Sequence, residues 1–258
     1  MRNGQLCPDQ TRTRFLGVSF DCLEQDRVIQ LMHQRRPDAA FCYVVTPNVD
    51  HIVRLAEQRS MLPRYDGAWL CLCDSKPVQM MSRSVRRPLT HVTGSDLTKA
   101  IFEQVLREGD LVTLIVASDQ VAAKIAERYP RVNFQWHVPP HGLLANPEAM
   151  QSVVDFIVEH PSRFTFVAVG SPQSEIAVAR AKEHRAARGT ALCIGASLEF
   201  MTGDRARAPA WMNRAGLEWV HRMATDPRRL WKRYLFSIPP LLRLYWTELA
   251  ERQERPEP

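Results

Sequence analysis

The side chains best suited to chemistry stand where apolar runs of the sequence stop. Asp74 closes the run "CLC", where its carboxylate could take a proton as a general base or could cap the following turn. Thr46 and Asn48, in "TPNVD", offer a hydroxyl and an amide, although a turn with a helix cap would use the same residues. Asp66 is another candidate for the general base. It precedes its apolar run, however, and so belongs to the end of the sheet opposite to that of Asp74.

Two glycine-containing turns add groups that could meet an anion or a sugar. Gly94 is followed by a serine and an aspartate at a helix start, a geometry that favours anions but is commoner as plain capping. In "VAVGSPQSE" an apolar run leads into Gly170. Gln173 and Glu175 follow at the same end of that predicted strand. The sequence contains no G-x-G-x-x-G, no G-x-x-x-x-G-K-[ST] and no G-x-S-x-G, so it supports neither a dinucleotide site, a P-loop nor a serine nucleophile.

The late segment "EWVHRMATDPRRLWKRYLF" is both basic and apolar. Residues 205–243 contain nine Lys or Arg against two Asp or Glu, whereas the net charge of the whole chain is +6. The positive excess therefore lies in this segment, which indicates an anionic partner. A basic amphipathic helix is predicted from Pro227, with a break at Pro239 and Pro240. It suits a membrane interface, or it packs on the domain with a solvated cationic face.

The elements that must position these residues follow from the alternation of apolar runs and amphipathic patterns. Continuously apolar runs separated by helices predict a parallel sheet covered on both faces. The fold class is therefore α/β, an open Rossmann-like and mostly parallel sheet, plus a basic helical C-terminal appendage. "RFLGVSF" is read as its first strand. We expect a flexible tail at 1–13, a catalytic domain at 14–203 and the appendage at 204–258, with ligands at the carboxyl ends of the strands.

The cysteines and the apolar runs limit the class of protein. No C-x-x-C pair and no His/Cys cluster with zinc spacing occurs, so Cys42, Cys71, Cys73 and Cys193 are predicted to be reduced core residues. Residues 1–14 are polar and give no signal peptide, and no apolar run has the length of a transmembrane helix. We expect a cytoplasmic protein that rests on a membrane surface.

Two longer segments resemble the WecG/TagA/CpsF family of bacterial glycosyltransferases, glycosyltransferase family 26. "VVTPNVDHIVRLAEQ" is similar to the family's T-x-N segment and the helix after it. "GASLEFMTGDRARAPAWMNRAGLEWVHRMATDPRRLWKRYLF" is similar to its late pattern of F-x-x-G, R-A-P-x-W, G-L-E-W, R, P-x-R and R-Y. The resemblance covers residues 15–236, nearly the whole chain.

The resemblance implies an inverting transfer of a sugar from a UDP-sugar to an undecaprenyl-diphosphate-linked sugar, without a metal or other cofactor. The reaction would take place on the inner face of the plasma membrane and feed teichoic acid, common antigen, capsule or exopolysaccharide. Asp74 matches the family's general base, and Thr46 and Asn48 match its T-x-N pair. Arginines of the appendage reach the nucleotide diphosphate in the family, and the matching positions are Arg222, Arg229 and either Lys232 or Arg233.

Three departures from the family pattern concern the polar lining of the predicted pocket. Ser75 stands where the family has Gly, His91 where members carry Arg, and Gln173 and Ser174 where members carry Lys and Gln. We expect sugar or nucleotide contacts from His91, Gly94, Gly170, Gln173 and Glu175.

The departures leave the donor sugar open, and they leave the alternative of a catalytically impaired UDP-sugar-binding scaffold of the same assembly. An RNA-binding module is a further alternative, but no RNA-binding motif supports it and we expect no nucleic-acid partner. The oligomeric state, including a homo-oligomer, stays open.

Overall fold

The computed structural model describes residues 12–205, 212 and 227–253 of the chain. The described part begins with an antiparallel hairpin of two strands, β1 (Thr13–Phe15) and β2 (Val18–Phe20). The prediction that "RFLGVSF" is one strand is wrong, because Leu16 and Gly17 adopt φ angles of 50° and 80° and reverse the chain. Two adjacent residues with positive φ form the tight turn that matches the twist of a hairpin.

The centre of the fold is a six-stranded sheet. Its strands are β3 (Cys42–Val45), β4 (Leu70–Cys71), β5 (Leu111–Ile115), β6 (Asn133–His137), β7 (Phe164–Val167) and β8 (Thr190–Cys193). They lie in the order β4-β3-β8-β7-β5-β6, and every neighbouring pair is parallel. The predicted parallel sheet is therefore confirmed.

Helices connect the strands and cover both faces of the sheet. The α-helices are α1 (Gln25–Gln34), α2 (Val49–Glu57), α3 (Leu62–Asp66), α4 (Lys76–Ser84), α5 (Gly94–Ala100), α6 (Asp119–Arg128), α7 (Pro147–Glu159), α8 (Gln173–Glu183), α9 (Ser197–Thr202) and α10 (Pro227–Gln253). Alternate side chains of β3 enter two different apolar clusters. Tyr43 and Val45 pack with α2, α7 and α8, whereas Val44 packs with α1, α5 and α6. Strands buried on both faces explain why their sequences are continuously apolar.

The cysteines of the sheet behave as predicted. Cys42, Cys71, Cys73 and Cys193 are buried and unbridged. Burial raises the pKa of the Cys73 thiol to about 12 and raises that of Cys71 well above its usual value. These thiols are inert core residues.

Helix α10 packs on the α/β domain along α2 and the hairpin. Leu241 is buried against the domain, and Glu248 accepts from the backbone N–H of Leu16 and pairs with Arg87. The predicted break at Pro239 and Pro240 is wrong, because the helix continues through both. Each interior proline removes a helical hydrogen bond, and the contacts with the domain offset that cost. Within the described ranges, no helix is long and apolar enough to cross a bilayer.

Candidate active site

A pocket of about 980 Å³ opens at the carboxyl ends of the strands. Its lining includes Thr46 after β3, Asp74 after β4, Ala117 after β5, Gly170 after β7 and Gly195 after β8. The connection from β5 leads to one edge of the sheet and that from β7 leads towards the other. Open α/β sheets form their ligand crevices at such a reversal. The chain therefore brings Thr46, Asp74 and Gly170 together as the sequence predicts.

Asp74 is held at the floor of this pocket by backbone groups. Its Oδ2 accepts a hydrogen bond from the N–H of Gly94 at 3.2 Å, and its own N–H donates to the carbonyl of Pro47 at 3.1 Å. The side chain is half-buried and lines the pocket. A carboxylate that is fixed in this way and still reaches the pocket can take a proton from a bound hydroxyl.

Gly94 lies where three side chains meet. A Cβ atom at this position would lie 2.9 Å from Thr46 Oγ1, 3.7 Å from Asp74 Oδ2 and 3.8 Å from Ser197 Oγ. The close approach of Thr46 leaves no room for a side chain. The absence of a side chain at Gly94 therefore allows Thr46 and Asp74 to lie close together beside it.

Ser75 has a structural role that explains its departure from the family pattern. It is the N-cap of α4, and its Oγ accepts from the N–H of Val78 at 3.4 Å. Helix α4 is missing from the sequence prediction, because two of its three buried residues, Gln79 and Ser82, are polar. The helix directly follows Asp74, so its cap fixes the chain just beyond the carboxylate.

Asn48 belongs to a polar chain of contacts that joins α2 to α8. Its Oδ1 accepts from the N–H of Asp50 at 3.1 Å, as expected of an N-cap. His51 Nδ1 lies 2.8 Å from the same oxygen, and His51 Nε2 lies 3.4 Å from Glu175 Oε1. The imidazole therefore bridges the cap of α2 and a carboxylate of α8. His51 is absent from the residues predicted from the sequence, where it is one residue of the helix after Asn48.

The Glu175 carboxylate is 3% exposed in the pocket wall. Its Oε2 is buried and makes no hydrogen bond with any described residue. Burial raises the pKa of Tyr65, and the carboxylate of Glu175 raises it further. The same carboxylate adds to the effect of burial on the pKa of Cys193. The wall thus contains a buried carboxyl group whose hydrogen-bonding capacity is only partly used.

Three residues predicted to contact ligand, namely His91, Gly94 and Gln173, are not in the pocket lining that the described residues form. Gln173 Nε2 donates to the carbonyl of Val169 at 2.8 Å and braces the turn at Gly170, whose φ is 84°. His91 lies two residues before Thr93, the N-cap of α5.

The appendage reaches the mouth of the pocket through α10. Phe236 and Ser237 line the pocket, and Ser237 Oγ donates to Asp50 Oδ1 at 2.7 Å. At a rise of 1.5 Å per residue, the backbone of Arg233 lies about 6 Å along the helix from Ser237, and that of Arg229 about 12 Å. The side chains of Arg229, Lys232 and Arg233 lie outside the described residues, as does all of Arg222.

The described lining also contains two arginines that the sequence analysis did not single out. Arg54 Nη1 donates to Ser171 Oγ at 2.9 Å, and Arg205 Nη1 lies 3.4 Å from Glu199 Oε2. In the part of the chain that the structure describes, no group of three or more His, Cys, Asp or Glu is placed to hold a metal ion. The pocket lining thus combines the carboxylate of Asp74 with polar side chains and cations.

Comparison with known proteins places the sequence among glycosyltransferases. Residues 13–255 match the model of the glycosyl transferase WecG/TagA/CpsF family. The chain is also similar to the N-acetylglucosaminyldiphosphoundecaprenol N-acetyl-beta-D-mannosaminyltransferase of Bacillus spizizenii. The two are 27% identical over 206 residues, which is 76% of each chain. The family match includes the sheet, the pocket and α10.

Proposed function

Since the chain belongs to the WecG/TagA/CpsF family of glycosyltransferases, we propose that it moves a sugar from a UDP-sugar to an undecaprenyl-diphosphate-linked sugar, with inversion. The observation that carries this proposal is the position of Asp74, a half-buried carboxylate fixed by a backbone N–H in a pocket at the strand ends. The name of the similar Bacillus protein states an undecaprenol-diphosphate acceptor, which supports the class of acceptor. The product would enter a cell-envelope polysaccharide.

In this mechanism Asp74 is the general base. It takes the proton of the acceptor hydroxyl while that oxygen attacks the anomeric carbon of the donor. The bond from this carbon to the UDP oxygen breaks on the opposite face, so one displacement inverts the configuration. Negative charge grows on the diphosphate as UDP leaves, and the transition state requires cations at that place.

The appendage is expected to supply part of that positive charge. Arg222, Arg229 and either Lys232 or Arg233 match the family's cationic positions, and α10 meets the pocket at Ser237. Guanidinium groups bind phosphate through two parallel hydrogen bonds, which gives charge and orientation together. We therefore propose a metal-independent reaction in which side-chain cations stabilise the leaving UDP.

The other pocket residues would orient the substrates. Thr46 and Asn48 present a hydroxyl and an amide beside Asp74, and Gly170 forms the turn on the far side of the pocket. Glu175 fixes Asn48 through His51. These groups suit the hydroxyls of a sugar and the ribose of a nucleotide.

A peripheral position on the inner face of the plasma membrane fits this acceptor. Ile238, Leu242 and Trp246 recur every four residues on α10 and are 45%, 46% and 68% exposed. Residues four apart form one stripe along a helix, and an apolar stripe beside basic residues suits a lipid interface. We propose that this stripe rests on the membrane that carries the lipid acceptor.

A donor screen tests the function directly. The purified protein is incubated with undecaprenyl-diphosphate-GlcNAc and, in separate reactions, UDP-GlcNAc, UDP-ManNAc, UDP-glucose and UDP-glucuronic acid. We expect one donor to increase the mass of the lipid by one sugar. Binding of UDP without transfer from any donor would instead support the alternative of an impaired scaffold protein. A protein that neither binds UDP nor transfers a sugar would overturn both the proposed function and the scaffold alternative.

A further inference from the structure

Arg54 places a positive charge in the pocket wall on the α/β domain itself. It lies on α2, six residues after Asn48, and lines the same pocket as Asp74. Its Nη1 donates to Ser171 Oγ at 2.9 Å, and the side chain is partly buried. Ser171 follows Gly170 in the turn after β7, so the guanidinium is tied to the strand ends.

Among the described residues, no carboxylate lies close enough to neutralise the charge of Arg54. No described Asp or Glu lies within 4 Å of its guanidinium nitrogens, whereas Arg205 in the same lining lies 3.4 Å from Glu199. Glu175 belongs to the same wall but directs its Oε1 to His51. The hydroxyl of Ser171 is a neutral partner that holds one nitrogen of the guanidinium without cancelling its charge.

A partly buried and uncompensated guanidinium in a ligand pocket is suited to an anion. Of the anions that fit, a diphosphate matches the planar fork of donors best, because two of its oxygens can accept parallel hydrogen bonds. The bonds would be stronger here than in open solution, since the pocket wall excludes part of the water.

We propose that Arg54, positioned by Ser171, binds a diphosphate in this pocket independently of the cations of the appendage. The inference rests on the proposed function in one respect, that the substrates meet in this pocket. That reaction involves two diphosphates, one in UDP and one in the lipid-linked acceptor. Both share the chemistry that Arg54 would recognise, and the two can be separated by experiment.

The test compares ligands with and without phosphate on the full-length Arg54→Gln protein. The glutamine keeps an amide donor but removes the charge. Affinity for UDP is measured by calorimetry and for uridine by ligand-observed NMR. A short-chain lipid-diphosphate-GlcNAc is compared with the same lipid joined to GlcNAc without the diphosphate. We expect the affinity for one diphosphate ligand to fall roughly 10- to 100-fold, with its phosphate-free partner unchanged.

Two further variants keep the test decisive. Arg64→Gln is the matched control, because Arg64 is another partly exposed arginine, on α3 and outside the pocket lining. It should leave every affinity unchanged. Ser171→Ala keeps the arginine and removes its anchor, so we expect a smaller, few-fold loss confined to the diphosphate ligands.

The outcomes separate this inference from the proposed function. A loss for UDP assigns Arg54 to the donor, and a loss for the lipid diphosphate assigns it to the acceptor. The inference is overturned if the Arg54→Gln protein binds both diphosphate ligands with wild-type affinity, or if its affinity for uridine falls as much as its affinity for UDP. Either result counts even where the wild-type protein transfers sugar. Arg54-dependent UDP binding by a wild-type protein that transfers no sugar supports the inference and refutes the proposed function.

Discussion

Gly94→Ala adds one methyl group at the most crowded point beneath the candidate active site. The new Cβ would lie 2.9 Å from Thr46 Oγ1, whereas ordinary contact begins at 3.4 Å, so the two must separate by about 0.5 Å. Thr46 is β-branched, and its side chain has few alternative rotamers. The shift therefore passes to the backbone at Gly94 or to Asp74, which the N–H of Gly94 holds at 3.2 Å.

The expected effect falls on both stability and catalysis. Gly94 has no positive φ, so alanine fits its backbone, and overpacking of this kind costs about 1–3 kcal/mol of unfolding free energy. Displacing a reacting group by 1 Å can cost about 100-fold in rate, so a shift of half that size should lower kcat by about 10-fold. The thermal midpoint should fall by about 2–12 °C, at about 2–4 °C per kcal/mol.

Steady-state transfer assays of three variants test this reasoning. Thr46→Ala removes the hydroxyl that the new methyl group meets, so the double variant Thr46→Ala/Gly94→Ala should be no slower than Thr46→Ala alone. A wild-type kcat for Gly94→Ala would refute the steric argument. So would a double variant in which the two losses simply multiply, because the contact would then not be their common cause.

Two further predictions concern the polar chain of α2 and the role of the appendage. His51→Leu leaves the buried Glu175 carboxylate without its partner and should lower the unfolding free energy by about 2 kcal/mol in urea titrations. The added change Glu175→Leu should recover part of that loss, and a double variant less stable than either single one would contradict the pairing. A chain ending at Gly203 should keep the far-ultraviolet circular dichroism of the α/β domain but lose sugar transfer and binding to anionic lipid vesicles. Retention of full activity by that truncated chain would show that the appendage contributes nothing to the site.

The sheet and the Asp74 carboxylate at its edge could be predicted, because the patterns that place them can be read in the sequence. Strands buried on both faces leave continuously apolar runs, such as that of β3, and the carboxyl ends of parallel strands meet at one edge. Asp74 was found because it ends such a run. Asn48 was found as a helix cap, and its contact confirms that role.

The residues that were missed depend on contacts that periodicity does not record. His51 and Arg54 lie on the polar side of α2, which a sequence pattern assigns to solvent, and only the placement of α8 turns that side into a pocket wall. The hairpin was missed because Leu16, an unusual residue for positive φ, occupies its turn. The interior prolines of α10 were read as a break, since the docking of Leu241 and Glu248 on the domain is not visible in the sequence.

The central claim is that Asp74 is the general base, and Asp74→Asn tests it most directly. The amide keeps the size of the side chain and can still accept from the N–H of Gly94, but it cannot take a proton. With a UDP-sugar that the wild-type protein uses and undecaprenyl-diphosphate-GlcNAc as acceptor, we predict a loss of about 100- to 10,000-fold in kcat. The affinity for UDP should stay within a few-fold of the wild-type value. Transfer at the wild-type rate by the Asp74→Asn protein would contradict the account.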